Sequence, residues 1–468
     1  MAGKPLYDLI VLGAGPAGLE AARTARRLDL RVALVERSRL GGNSLNTGSV
    51  PSKSIIRSGR ALEAIIDGYG HGVSTSIAPT ADIGAVMTRM RRIRARIAEY
   101  HSAQRLEELG VDLFAGSAHF DGARSIRIGA TSLRFKKAII ATGARPRTSD
   151  IPGLEATGYL TSATVFDITE LPKRLAVIGG GPLGCELAQA FSQLGSWVTI
   201  LQNEPKFLPN EERDAAELLS MSLARCGVET RLNTPVVHAR AENGKKIIDV
   251  TNSGAKFSIT VDEILLSAGR VPNTEDLNLD TAGIKVDARR RIEVDDFFRS
   301  TNPNVSAAGD ACMPHKYTNV AQASARLAVL NACAGESNRL SRLTPPWCTY
   351  CDPEIAHIGL HAVDARRRSI PIKSFTIMMQ DVDRAIIDGS DTGFVKIHVK
   401  EGTGEILGAT IVGSRAGELI NELSVIMSAG IGMHRLADVL HTYPSQSDAI
   451  RLAAIAFRDD MPVTPRAR

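Results

Sequence analysis

The chain has 468 residues, too many for one ordinary hydrophobic core, so roughly two to four domains are expected. Its content of 44% hydrophobic and 23% charged residues is that of a folded globular protein rather than a disordered one. A net charge of +5, from 56 basic and 51 acidic residues, gives no basis for a nucleic-acid partner, and no apolar run reaches the roughly 20 residues of a membrane span.

The start, "KPLYDLIVLGAGPAG", runs from an apolar stretch straight into glycines rather than into a small-residue cleavage site. It reads as a first strand, not a signal peptide, and a cytoplasmic location is expected. "YDLIVLGAGPAGLEAARTARRLDLRVALVER" is then a strand, Gly13-x-Gly15-x-x-Gly18, a helix and a second strand. "RLAVIGGGPLGCELAQAFSQLGSWVTILQ" repeats the unit with Gly179, Gly181 and Gly184. Glycines between strand and helix let the backbone approach a pyrophosphate, whose charge rests on the helix N-terminus. Two such motifs in full context imply two bound dinucleotides. In the first unit Glu36 follows Gly18 by 18 residues and suits an adenosine ribose; the same offset from Gly184 lands on Gln202. The missing carboxylate removes a repulsion from a 2′-phosphate, and Lys206 is a candidate partner for it, so NADPH is favoured while NADH stays open.

"GGNSLNTGSVPSK" places Gly42 in a Gly-Gly pair, Ser44 and Ser49 five residues apart, and Lys53 shortly after. The spacing suits a reactive pair, yet both positions carry a hydroxyl. In "AVMTRMRRIRARIAEYHSAQRLEELG", Met90, Ile93, Ile97 and Tyr100 recur at helical spacing, with the arginines read as a solvated face. "KAIIATGARPR" with Gly143 and "EILLSAGRVPN" with Gly269 look like strands closing into glycine turns, marking crossings between the two nucleotide domains. "NPNVSAAGDACM" sets Asp310 after a short strand, where a carboxylate can bind a polyol hydroxyl or simply close a turn. Of six cysteines only Cys348 and Cys351 form a CxxC. No second close pair of ligands accompanies it, and its extended, aromatic setting is unlike a redox dithiol, so no metal site is expected. From about Thr344, alternating strands and then helices read as an α+β domain, and the last stretch, "RDDMPVTPRAR", is expected to fray.

Together "GAGPAG", "GGNSLNTGSVPSK", "ATGARP", "GGGPLGCELA", "SAGRVPN", "AAGDA", "CDPEIAHIGL" and the tail motif "HTYPSQSDA" resemble the pyridine nucleotide-disulfide oxidoreductase family over nearly the whole chain. "DVDRAIIDG" and the tail tyrosine look most like its mercuric-reductase-like branch, beside dihydrolipoamide dehydrogenase. The resemblance implies an α/β fold of two Rossmann-like dinucleotide-binding domains plus a C-terminal α+β dimerisation domain. Residues 1–150 and 270–343 would hold FAD, 151–269 NAD(P)H, and 344–468 would form a homodimer. It further implies Glu36 on the flavin's adenosine ribose, Asp310 on its ribityl chain, and Lys53 near flavin N5 paired with Glu186. The tail motif would reach the partner's flavin.

Two departures weigh more than the agreements. The family carries redox cysteines where Ser44 and Ser49 stand, and a His–Glu acid/base pair where the tail has Tyr443 and Asp448, with His441 two residues earlier. A thiol titrates at about pH 8.5 and forms disulfides; an alcohol does neither in water. Soft Hg(II) likewise needs thiolates. The expected activity is therefore an FAD-dependent NAD(P)H:acceptor oxidoreductase that passes electrons directly to a small-molecule acceptor such as a quinone, a dye or oxygen. Tyr443 would donate a proton there or only pack. The alternatives are a disulfide or mercuric-reductase-like enzyme captured as a double Cys→Ser variant, an NAD(P) transhydrogenase, and a non-catalytic flavin-binding sensor.

Overall fold

A computed structural model describes residues 6–74 and 78–460, so the end of the tail expected to fray, from 461 onward, lies outside the described residues. The chain divides into two compact units. The first comprises Met1–Asp150, Gly158–Leu171 and Leu265–Leu343; the second comprises Ile151–Thr157, Pro172–Ile264 and Thr344–Arg468. Among the described residues no helix is long and apolar enough to cross a membrane.

The first unit is built on a seven-stranded sheet. Its order is Val111–Ala115, Val32–Glu36, Leu6–Leu12, Thr131–Ile140, Ser125–Ile128, Ala118–Gly122, with Val305–Ala307 also pairing along Thr131–Ile140. The central pairs are parallel, with Leu9 opposite Val32 and Leu12 opposite Ile140. Strands buried on both faces read as unbroken apolar runs, which is why "LIVL" and "VALV" lack alternation. The helix Pro16–Arg27 starts with proline at its first position, a place where no N–H is needed, and ends on Arg26 and Arg27 beside its negative pole. Its small buried face, with Ala17, Ala21 and Ala25, packs on the helix Thr318–Cys333, whose Ala321, Ala325 and Ala328 are equally small.

The expected arginine-rich helix runs over Ile83–Ala98 and buries Met90. It stops short of the periodic pattern: Tyr100 lies in a 3-10 turn and is 57% exposed. Ser102 then caps a new helix by accepting from the Arg105 N–H, and that local bond wins over continued periodicity.

In the second unit, Val228–Arg231, Trp197–Leu201 and Arg174–Ile178 pair in parallel, with Glu263–Leu266 at the far edge. An antiparallel trio, Val236–Glu242, Lys245–Asn252 and Ala255–Val261, stands beside them. The C-terminal part is a five-stranded antiparallel sheet ordered Trp347–Thr349, Glu354–Gly359, Ile406–Gly413, Phe394–Lys400, Ile372–Met378. The apolar face of that sheet, with Ala356, Ile358, Ile397 and Ile411, is covered by the helices Ala416–Ser428 and Asp448–Asp460.

Candidate functional site

The glycines of each motif do different jobs. In the first unit a Cβ on Gly18 would fall 1.7 Å from the Gly13 carbonyl oxygen, and one on Gly13 would fall 2.5 Å from the Ala141 oxygen. Those two positions pack helix and strand together. A Cβ on Gly15 would meet nothing nearer than the Gly42 Cα at 3.8 Å, and one on Gly181 would meet nothing within 4 Å. Both glycines begin their helices without a side-chain cap, so the first-turn N–H groups keep no side-chain acceptor. Open space before uncapped helix N-termini is what a pyrophosphate requires, and the residues present fit a dinucleotide in each unit.

The residues after the second strands sit in equivalent places. Glu36 Oε2 accepts from the Ala14 N–H at 2.6 Å and its Oε1 from Ser38 N–H at 2.8 Å. Gln202 Oε1 accepts from the Gly180 N–H at 2.8 Å. One side chain brings a charge to the glycine turn and the other brings a neutral amide. Lys206 is exposed. Beside Glu36 a cleft opens, lined by Gly13, Arg37, Ser117, Thr142 and Asn273 among others. No sequence motif marks Arg37 or Ser117; Thr142 adjoins Gly143 and Asn273 closes "GRVPN", the nearest sequence signals to this lining.

The two glycine turns meet inside the first unit: Ala144–Pro146 pairs antiparallel with Arg270–Pro272. Thr142 Oγ1 donates to the Asn273 carbonyl at 2.7 Å, and Asn273 Nδ2 returns a bond to the Thr142 carbonyl at 2.9 Å. Gly143 and Gly269 both have positive φ, 70° and 101°, which an L side chain rarely adopts. Arg270 reaches from this pairing to Asp310, with Nη1 2.7 Å from the carboxylate. The Asp310 carboxylate is thus held by a guanidinium 40 residues away in sequence.

Gly42, with φ of 55°, approaches Gly15 so closely that its Cβ would lie 2.6 Å from the Gly15 Cα. That contact anchors the segment bearing the two serines. Ser44 lies in the short helix Gly42–Asn46, and Ser49 opens the helix Ser49–Ile66, which carries Lys53 in its second turn. Ser44 Oγ shares a 2.6 Å hydrogen bond with Thr318 Oγ1, at the start of the helix Thr318–Cys333. Ser49 is exposed. The two cysteines of this unit lie elsewhere, and burial disfavours the thiolate of each: Cys312 is pushed up to about 12 and Cys333 to about 11.

In the second unit, Glu186 is 3% exposed and accepts from the Tyr350 N–H at 2.9 Å. In the tail, Tyr443 donates its phenol to Asp383 at 2.7 Å, while Asp448 accepts from Arg451 Nε at 2.7 Å. His441 pairs instead with Glu422 at 2.7 Å. Leu440 and Tyr443 are 96% and 72% exposed, and Val425 and Ile387 are also exposed, the kind of apolar surface that a second subunit would cover. Among the described residues no group of three or more His, Cys, Asp or Glu could hold a metal ion.

Residues 7–327 match the pattern of the pyridine nucleotide-disulphide oxidoreductases, and residues 345–454 match the dimerisation domain of the same proteins, which supports a homodimer. The chain is 32% identical to a mercuric reductase of Acidithiobacillus ferrooxidans, over 98% of its own length and 84% of the relative's. It is also 32% identical to a dihydrolipoyl dehydrogenase of Thermus scotoductus, covering 96% and 97% of the two chains. Among solved structures it is similar to LpdA of Mycobacterium tuberculosis, with a TM-score of 0.89 at 27% identity, covering 97% and 99%. It is similar too to the HOCl-induced flavoprotein disulfide reductase RclA of Escherichia coli, with a TM-score of 0.85 at 27% identity, covering 96% and 99%.

Proposed function

Since the chain belongs to the pyridine nucleotide-disulphide oxidoreductase family and is an FAD-dependent NAD(P)H oxidoreductase, we propose that it delivers its electrons directly to a small acceptor, with no dithiol relay. Quinones, dyes and molecular oxygen are the acceptor classes. The observation that carries this reading is chemical: Ser44 and Ser49, read as standing where relatives carry their redox pair, offer only hydroxyls, and Ser44 is already engaged with Thr318 at 2.6 Å. Cys312 and Cys333, both disfavoured as thiolates, are poor substitutes.

The bound flavin supplies hydride acceptance from nicotinamide and electron release to a second substrate. The chain's own part is binding and electrostatics. The N–H groups beyond Pro16 and Pro182, in the first turns of their helices, would hold the two pyrophosphates, Glu36 would hold the adenosine ribose, and Asp310, kept in place by Arg270, would hold a ribityl hydroxyl. Lys53 would place a positive charge beside the flavin, which favours its reduced, more negative form. Gln202, which adds no charge at the second glycine turn, favours NADPH without refusing NADH. The same neutrality supports a second reading, hydride exchange between the two nicotinamide nucleotides.

Anaerobic rapid mixing with NADPH or NADH is expected to bleach the flavin, with no long-wavelength thiolate band. Steady-state turnover is expected with menadione or ferricyanide and absent with lipoamide or glutathione disulfide. Rapid disulfide turnover by the unsubstituted protein would overturn the reading. Equal flavin reduction by both nucleotides favours transhydrogenation, and a strong preference for one counts against it.

A further inference from the structure

The second unit buries an ionisable cluster that neither glycine motif uses. Glu211 and Glu212 lead into the helix Arg213–Arg225 of the nucleotide lobe. Facing them from the C-terminal part are Trp347, His357, His361, Lys396 and His398. Glu211, His357, His361 and His398 are each 7% exposed or less. Glu212 Oε1 accepts from the Ala362 N–H at 3.0 Å and lies 3.1 Å from His398 Nε2. Glu211 Oε1 accepts from Trp347 Nε1 at 3.0 Å. Asp214 pairs with Lys396, and Arg213 lies near Glu211.

Two of the imidazoles have a partner at each ring nitrogen. His357 sits 2.8 Å from Thr410 Oγ1 and 3.1 Å from the Gly359 carbonyl, so one nitrogen accepts and the other donates. His398 lies between Ser374 Oγ, at 2.8 Å, and Glu212 Oε1, at 3.1 Å. His361 differs. Neither buried ring nitrogen has a well-formed hydrogen bond, and Nδ1 lies 3.5 Å from Glu212 Oε1. Its ring stacks on His357 with centroids 3.5 Å apart and planes 18° apart, so two imidazolium charges cannot share the stack.

We propose that this cluster is a proton-sensitive latch between the nucleotide lobe and the C-terminal sheet. Closed, the buried stack keeps the His357 ring neutral; open, water lets that ring charge. Opening therefore takes up protons, and weak acid loosens the segment from Glu211 into the helix Arg213–Arg225.

The titration directions agree, with one opposing member. Burial first, and then the neighbouring His361, hold His357 well below the ordinary imidazole range. Its neutral form favours the closed state, and that preference is lost as pH falls below the open-state value of about 6.5. For Glu212, burial pushes upward but is outweighed by His361, His398 and the Ala362 N–H, so its carboxyl lies well below the usual range and stays ionised throughout that window. Glu211 is raised, chiefly by burial, so it binds a proton more readily closed than open and flattens the response.

The test is hydrogen–deuterium exchange of the holoenzyme at about pH 7 and about pH 5.5, corrected for the intrinsic rate, over residues 208–225 and 354–361. One extra proton taken up on opening predicts corrected exchange about tenfold faster per pH unit below the midpoint. Trp347 emission in a Trp197→Phe variant is expected to change with the same midpoint, and His357→Gln to flatten both profiles. Equal corrected exchange at the two pH values, or an unaltered profile in His357→Gln, overturns the latch. Should His357→Gln fail to fold, the exchange profile of the unsubstituted protein decides by itself.

Discussion

Replacing Gly15 and Gly18 by alanine, one at a time, separates a ligand glycine from a packing glycine within one motif. At Gly18 the added Cβ would lie 1.7 Å from the Gly13 oxygen and 2.8 Å from the Gly13 carbon, both backbone atoms with no rotamer to move. The helix Pro16–Arg27 would have to retreat by about 1.5 Å to restore van der Waals separation. Its buried alanines would lose their seat against the strand and against the helix Thr318–Cys333. Overpacking of this kind costs about 1–3 kcal/mol, and a rigid backbone clash belongs at the upper end. Gly15 has φ of −75° and ψ of −173°, which alanine adopts freely, and its nearest neighbour is at ordinary contact distance. There the methyl group intrudes only on the bound pyrophosphate, so the same 1–3 kcal/mol falls on flavin affinity, a loss of about 5- to 150-fold. The assay is thermal melting of both apoproteins, with FAD dissociation constants from quenching of flavin fluorescence. Gly18→Ala should melt several degrees lower, while apo Gly15→Ala melts with the unsubstituted protein but binds FAD weakly. A Gly18→Ala protein that melts normally with full flavin content, or an equal melting loss in both variants, would refute the reasoning.

The double substitution Ser44→Cys, Ser49→Cys should bring a long-wavelength thiolate band on partial reduction and measurable turnover of a disulfide substrate; fully oxidised, flavin-replete protein with neither signal would count against assigning those positions to the relay. Gln202→Glu keeps the acceptor for the Gly180 N–H and adds a charge, so KM for NADPH should rise about tenfold with little change for NADH, read by paired steady-state kinetics. An unchanged ratio of the two KM values would mean that discrimination lies elsewhere. The Tyr443 phenol titrates above its ordinary value, chiefly through its hydrogen bond to Asp383, so Asp383→Asn should let it ionise at lower pH in an alkaline ultraviolet titration, with Tyr443→Phe identifying the signal.

What could be read directly was local. A strand, a glycine turn and a helix are set by neighbours within about 30 residues, and the buried apolar runs and glycine spacings of both nucleotide units are of that kind. The α/β class and the family resemblance followed from their order along the chain. Even local patterns failed where a stronger local bond competed, as at Tyr100, where the periodicity continues but the Ser102 cap restarts the helix.

The rest depended on residues remote in sequence. Ser44 meets Thr318 across 274 positions, and the turn bearing Gly143 meets the one bearing Gly269. Glu212 meets His398 across 186 positions. No periodicity or motif marks such pairs, because side-chain partners at that range are chosen by how sheets and helices pack, and a carboxylate or hydroxyl looks the same in the chain whether it ends in water or against a buried imidazole. The residues available for chemistry were therefore legible in the sequence, while the charge, burial and partners that set their reactivity were decided only by the tertiary structure.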